Sequence, residues 1–203
     1  MPVTPHTPGV LIAFEGLDQS GKETQARLLA PWFEERGSRV EHLGFPDYTT
    51  TLGQEIGEAL RGHRDFSAEV MQLLYVANRH EWKQAIDVWL RDGRVVICDR
   101  YLASTVAYGE AHGLDPTWLT LIQATLPQPA VTVLLDIAPA AAAARKREHR
   151  DKFEQDLDLL GRVRASYLRQ AVEQDWVVVD ADRIKEAVYL DVVTRVGARL
   201  ERR

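Results

Sequence analysis

A chain of 203 residues with 45% apolar content is enough for one buried core. A formal net charge of −5 and an isoelectric point near 5.7 exclude the basic surface of a general nucleic-acid or membrane-surface binder. The lone cysteine, Cys98, excludes an intramolecular disulfide and fits a reducing cytoplasm, and no apolar run approaches the roughly 20 residues of a membrane span.

Residues 1–9, "MPVTPHTPG", carry three prolines and no apolar stretch, and read as a flexible tail, not a signal peptide. From 10 to 203 there is neither an internal repeat nor a dividing linker, so one domain is expected. Apolar runs at 10–16, 39–45, 94–100, 130–137 and 175–181 are expected as strands, four of them apolar enough to be covered on both faces. Helical periodicity fills the gaps. One helix is expected over 22–36, stopping at Gly37, with Pro31 kinking or shortening it. Another over 68–91 carries the stripe Val70, Leu73, Leu74, Ala77, Trp82, Ile86 and Trp89. Further helices are expected over 116–126, 138–147, 152–174 and 183–200. Strand alternating with helix implies right-handed crossovers and a doubly wound parallel α/β sheet of about five strands, with helices on both faces. Ligands of such sheets sit beyond the carboxyl ends of the strands.

The first strand runs directly into "FEGLDQSGKETQ" (14–25) and then a helix. Gly16 and Gly21 allow a tight turn, so the N–H groups of Gln19, Ser20, Gly21 and their neighbours face one point, and Lys22 adds a cation. A strand-to-helix turn that binds nothing would share the glycines. It would have no reason to place Lys22 at the helix start. The segment therefore reads as the phosphate loop of a P-loop NTPase-type fold. Its departure is Glu23, where the G-x-x-x-x-G-K-[ST] pattern has a hydroxyl that binds Mg²⁺. Thr24 cannot substitute, because one helical step turns the side chain by about 100°.

"VVICDR" ends an apolar strand in Asp99, the form of a carboxylate that serves Mg²⁺. Alone, such an Asp is an ordinary turn residue; beside a phosphate loop it gains a role. Arg100 follows it, and Arg79 lies one helical turn after Tyr75, so a guanidinium fork and a flat ring are available to a second, phosphate-bearing substrate. The run "ARKREHRDKFE" (144–154) concentrates Arg145, Lys146, Arg147, Arg150 and Lys152. It is either a solvated helix end or a lid that brings cations over a transferring phosphoryl group. The chain lacks the N-K-x-D guanine motif, which argues against a GTPase.

"FEGLDQSGK", "FPDYTT", "LLYVANRHEW", "VVICDRYLASTVAY", "RKREHRDKFE" and "VVVDADR", in this order, resemble the thymidylate kinases over about residues 10–185. The resemblance implies phosphoryl transfer from ATP to dTMP with Mg²⁺, in a cytoplasmic homodimer that binds neither nucleic acid nor membrane. It implies that Lys22 and the loop from Gly16 through Thr24 hold the ATP phosphates, with Arg145, Arg147, Arg150 and Lys152 supplying lid cations. Asp18 would accept the sugar 3′-hydroxyl or orient an arginine. Asp99 would serve the metal, and Arg79 and Arg100 would clamp the acceptor phosphate. Glu23, a departure from the pattern, either holds Mg²⁺ directly or through water beside Asp99, or faces away and leaves Asp99 to suffice. Phe45, Pro46, Tyr75, Ser104 and Tyr108 would line the base and sugar. The pattern departs from the family at Gln19, where one subgroup has a basic residue, at Lys152, where an arginine is expected, and at Gly44 and Tyr48, where many members offer an arginine. Two alternatives stay open: a kinase for another deoxynucleoside monophosphate, and a nucleotide-binding module without turnover.

Overall fold

The five apolar runs form one sheet in the computed structural model, which describes residues 8–145 and 156–202. Lys146, Arg147, Arg150 and Lys152, and most of the expected lid and tail, lie outside those residues. The strands are β1 (Val10–Glu15), β2 (Val40–Gly44), β3 (Val95–Asp99), β4 (Val131–Asp136) and β5 (Val177–Asp180). All pair in parallel, in the order β2-β3-β1-β4-β5, so β1 is central and its phosphate-loop end is flanked by strand ends on both sides.

Eight helices join them among the described residues: α1 (Lys22–Glu34), α2 (Thr51–Leu60), α3 (Ala68–Arg91), α4 (Leu102–Ala111), α5 (Pro116–Leu121), α6 (Pro139–Arg145), α7 (Leu157–Glu173) and α8 (Lys185–Glu201). The pleat sends alternate residues of β1 to opposite layers. Ile12 and Phe14 are buried against Leu29 and Phe33 of α1 and Val192 and Val196 of α8. Leu11 and Ala13 join Val96 and Cys98 in a cluster covered by Val76 and Ile86 of α3. Burial on both faces is why these strands read as continuous apolar runs.

Four differences from the sequence expectation are instructive. First, α2 and α4 stand where no helical periodicity was visible. Nearly every side of α4 is buried (Ala103, Ser104, Thr105, Val106, Ala107 and Gly109), so it has no polar face to create a period. In α2, Gly53 breaks the propensity pattern because a Cβ there would stand 1.8 Å from the Asp47 carbonyl oxygen. Second, Pro31 lies inside α1 and the helix still runs to Glu34, its end tied by the Glu35 N–H to the Pro31 carbonyl at 2.9 Å. Third, the α3 stripe is only partly core. Ile86 is fully buried, whereas Val70 and Leu73 are 40% and 45% exposed and the inward positions are Met71, Val76, Asn78 and Arg79. Fourth, α5 ends at Leu121, short of the expected 126.

Replacing Ile97, fully buried in β3, with Ala is expected to cost about 2–5 kcal/mol. The result should be a lower urea midpoint with an unchanged slope.

Candidate active site at the carboxyl rim of the sheet

Gly16 leaves β1 at φ 140°, and a Cβ at that position would meet the Leu135 carbonyl oxygen at 2.5 Å, so only glycine fits the turn. Gln19 (φ 64°) and Gly21 (φ 91°) complete the loop in left-handed conformations. Gly21 caps α1 with no side-chain hydrogen bond, so the first amides of the helix are left for an anion. Lys22 is 5% exposed; its ammonium donates to the Leu17 carbonyl at 2.8 Å and lies 3.9 Å from Asp18. The Ser20 hydroxyl is buried with no partner among the described residues.

Burial brings the Lys22 ammonium down from 10.5 to about 8; Arg100 pushes the same way, and Asp18, Asp99 and Glu15 oppose. The buried ammonium therefore costs stability below about pH 8, a cost that fades as pH rises from there towards 10.5.

At the end of β3, Arg100 adopts φ 63° while its N–H donates to the Phe14 carbonyl at 2.9 Å. This turn sends the guanidinium across β1 to Asp18, at 2.6 Å. Its other contacts are the Ser104 hydroxyl and the Tyr167 hydroxyl, both at 3.2 Å, and the Tyr108 hydroxyl at 3.3 Å. Burial disfavours its charge, but Asp18 leads a set of oxygens that holds the group more basic than an ordinary arginine. Under it sits Glu15, fully buried, accepting from the Tyr101 N–H at 2.8 Å, the Ser104 hydroxyl at 2.7 Å and the Tyr167 hydroxyl at 3.2 Å.

The segment after β2 forms the opposite wall. The Phe45 N–H donates to the Asp99 carbonyl at 2.9 Å, and the Phe45–Pro46 peptide is cis. Asp47 then fastens the loop to α3: its N–H donates to the Asn78 side-chain oxygen at 2.8 Å, and its carboxylate accepts from the Trp82 indole at 2.8 Å. Arg79 is 2% exposed, donates to the Thr105 hydroxyl at 2.6 Å and lies 6.0 Å from the Phe45 ring centre, with its Nε unpartnered among the described residues. Burial draws its pKa below the usual arginine value. Tyr75, one turn earlier, is half-buried beside Ile56 and Met71.

A cleft of about 780 Å³ is lined by Asp18, Lys22, Asp99, Arg100, Phe45 and Pro46, among others, whereas Arg79 is buried away from it and Tyr75 and Tyr108 line a separate hollow. That volume lies within the roughly 300–1,000 Å³ of small-molecule sites. Asp99 Oδ1 is buried with no partner among the described residues, and burial raises the Asp99 pKa, against Lys22 and Arg100 and with help from Asp18 and Glu23. An orphaned carboxylate oxygen beside an anion cradle suits Mg²⁺, which keeps several waters and takes only one or two carboxylates. Glu23 is exposed on the first turn of α1, paired with Arg27 at 3.0 Å, and its charge reaches Asp99.

The structure thus gathers Asp18, Lys22, Glu23, Asp99, Arg100 and Tyr108 in one place. Ser104 is turned to Glu15 and Tyr167 beneath Arg100, and Arg145 reaches the Gln19 carbonyl at 3.1 Å and the Ala181 carbonyl at 2.7 Å. Sequence reasoning missed Glu15, Asp47, Thr105 and Tyr167. Glu15 had a signal, a charge closing an otherwise apolar run; Tyr167 had none, lying 152 positions from its partner.

An uncapped phosphate loop, a buried lysine, a strand-end carboxylate and an arginine in one cleft define a P-loop kinase that acts on a small phosphorylated acceptor. Residues 14–192 match the family model for thymidylate kinase. The thymidylate kinase of Plasmodium falciparum is 35% identical, over 93% of this chain and 90% of its own length. A probable thymidylate kinase of Pyrococcus abyssi is 39% identical, over 95% and 98% respectively. The solved thymidylate kinase of Candida albicans superposes with a TM-score of 0.80 at 27% identity, covering 94% of this chain and 92% of that one. The chain belongs to the thymidylate kinase family.

ATP phosphates entering the loop should restore the Lys22 charge. Calorimetry near pH 8 in buffers of different ionisation heat is expected to show net proton uptake on ATP binding. Lys22→Arg, always charged, should show none. Identical heats in every buffer for the unaltered chain would refute the role.

Proposed function

We propose that the protein transfers the γ-phosphoryl group of ATP to dTMP, giving ADP and dTDP. The observation that carries this is the Arg100–Asp18 pair at 2.6 Å beside Lys22, an acceptor cation and a donor cation on adjoining strand ends. Transfer between phosphates needs alignment and charge stabilisation, not a covalent nucleophile. The acceptor phosphate is largely ionised already, its second pKa being about 6, so no strong general base is needed.

The loop amides and Lys22 bind the donor phosphates. Asp18, Tyr108 and the Ser104–Tyr167 pair hold Arg100 in one orientation, so its fork meets the acceptor without a reorganisation cost. Arg79 approaches the acceptor from the α3–α4 side, and Tyr75 offers its ring face to the base. Asp99 and Glu23 would hold Mg²⁺, which supplies charge neutralisation between donor phosphates when bound. Arg145, together with Arg147, Arg150 and Lys152 outside the described residues, would supply the lid cations that the family resemblance implies.

No described helix is long and apolar enough to cross a membrane, and we place the protein in the cytoplasm, acting without nucleic acid. We also read it as a homodimer. Support for that comes from α3, where Val70, Leu73 and Val88 are exposed apolar residues on one helical face.

ADP release should be strong with dTMP and weak with dUMP, dCMP, dGMP, dAMP and UMP. ATP binding without phosphorylation of any acceptor would end the kinase reading. Replacing Glu23 with Ser should raise the Mg²⁺ concentration for half-maximal rate several-fold; an unchanged requirement would leave Asp99 as the sole protein carboxylate at the metal.

A further inference from the structure

A second cavity, of about 400 Å³, opens on the sheet face that carries Ala13, Glu15 and Thr132, between β4, α4 and α7. It shares no lining residue with the catalytic cleft. Its walls alternate in character. Leu102, Val106 and Trp176 are apolar, whereas Gln123, Gln170 and Thr132 are buried to 4%, 3% and 9% exposure. Space of this size would hold about a dozen waters at roughly 30 Å³ each. It also falls in the range of sites for small organic ligands.

Gln123 points to an occupant. Its amide Nε2 donates to the Leu102 carbonyl at 3.0 Å, which fixes the side chain, while its Oε1 is buried with no partner among the described residues. A buried amide oxygen without a donor is costly, and native structures seldom keep one without a reason. Gln170 is held loosely, with its Nε2 at 3.4 Å from the Ala103 carbonyl and 3.3 Å from the Ser166 hydroxyl.

The charges specify the ligand's class. At the mouth, Arg199 is neutralised by Asp175 through contacts of 2.5 Å to the carboxylate and 2.6 Å to the carbonyl. At the inner end, Glu15 already accepts three hydrogen bonds. A charged guest would find no unpaired counter-charge, and burying it would be unfavourable. Amide donors and acceptors set between apolar walls suit a flat molecule with a hydrogen-bonding edge. We propose that this cavity is a second site that binds a neutral, planar, hydrogen-bonding molecule of nucleoside size.

The test saturates the catalytic cleft with ADP and dTMP, then titrates thymidine, deoxycytidine, deoxyadenosine and deoxyguanosine, followed by calorimetry and saturation-transfer NMR. At least one nucleoside should bind once per chain with a Kd of about 1 mM or tighter. Gln123→Leu, which removes the unpaired acceptor, and Ala124→Trp, which fills the mouth from an exposed position, should each weaken it by about tenfold or more. Turnover of both variants should stay within about twofold. Ala124→Trp guards against a folding failure of Gln123→Leu, and a thermal melt checks both. The proposal is overturned if no nucleoside binds the unaltered chain at about 10 mM with the cleft saturated. It is equally overturned if binding is indifferent to either folded variant.

Discussion

The fully buried carboxylate of Glu15 is the interaction on which the catalytic rim depends. A carboxylate removed from water is tolerated only when donors surround it. Here the donors are the Tyr101 amide at 2.8 Å and the hydroxyls of Ser104 and Tyr167 at 2.7 and 3.2 Å. They come from the loop after β3, from α4 and from α7. Satisfying one charge thus draws three elements to the end of β1, one residue before the phosphate loop begins. Ser104 and Tyr167 also touch Arg100, so the same hydroxyls that stabilise the buried acid hold the guanidinium in place.

A second fastening, independent of the first, fixes the other wall. Asp47 is bound through its N–H, carbonyl and carboxylate, to Asn78, Thr50 and Trp82 among others. A loop with so many backbone and side-chain bonds keeps Phe45 and Pro46 on the rim of the cleft without a regular element beneath it. Gly53 belongs to this fastening: the close approach of α2 to the Asp47 carbonyl leaves no room for a side chain. Loop and helix are adjusted to each other, and the glycine that weakens α2 locally is what lets it approach.

Much of this was legible in the chain. The central strands β3, β1 and β4 were visible because parallel strands covered on both faces must be apolar throughout, whereas β2 and β5 lie at the edges of the sheet and are only partly buried. The phosphate loop was visible because tight turns and close anion approach restrict residue type at Gly16, Gly21 and Lys22. α4 was invisible for the opposite reason. Periodicity reports a helix with one wet face, and α4 has nearly none. Whether the α3 stripe is core or interface was not legible, because apolar residues mark surfaces that avoid water without saying which layer covers them; Ile86 is buried, whereas Val70 and Leu73 face outward.

The sequence alone determined the order of elements, the phosphate loop, the strand-end Asp99 and the arginines available to a second substrate. Each of those is a local matter of residue type and spacing. Only the tertiary structure decided which groups meet. Arg100 reaches Asp18 across 82 positions, Tyr167 reaches Glu15 across 152, and Arg145 reaches the Gln19 carbonyl across 126. Spacing along the chain carries no information about such pairs. They exist because parallel pairing brings all the strand ends to one rim, where each buried polar group must find a partner or remain open to a ligand.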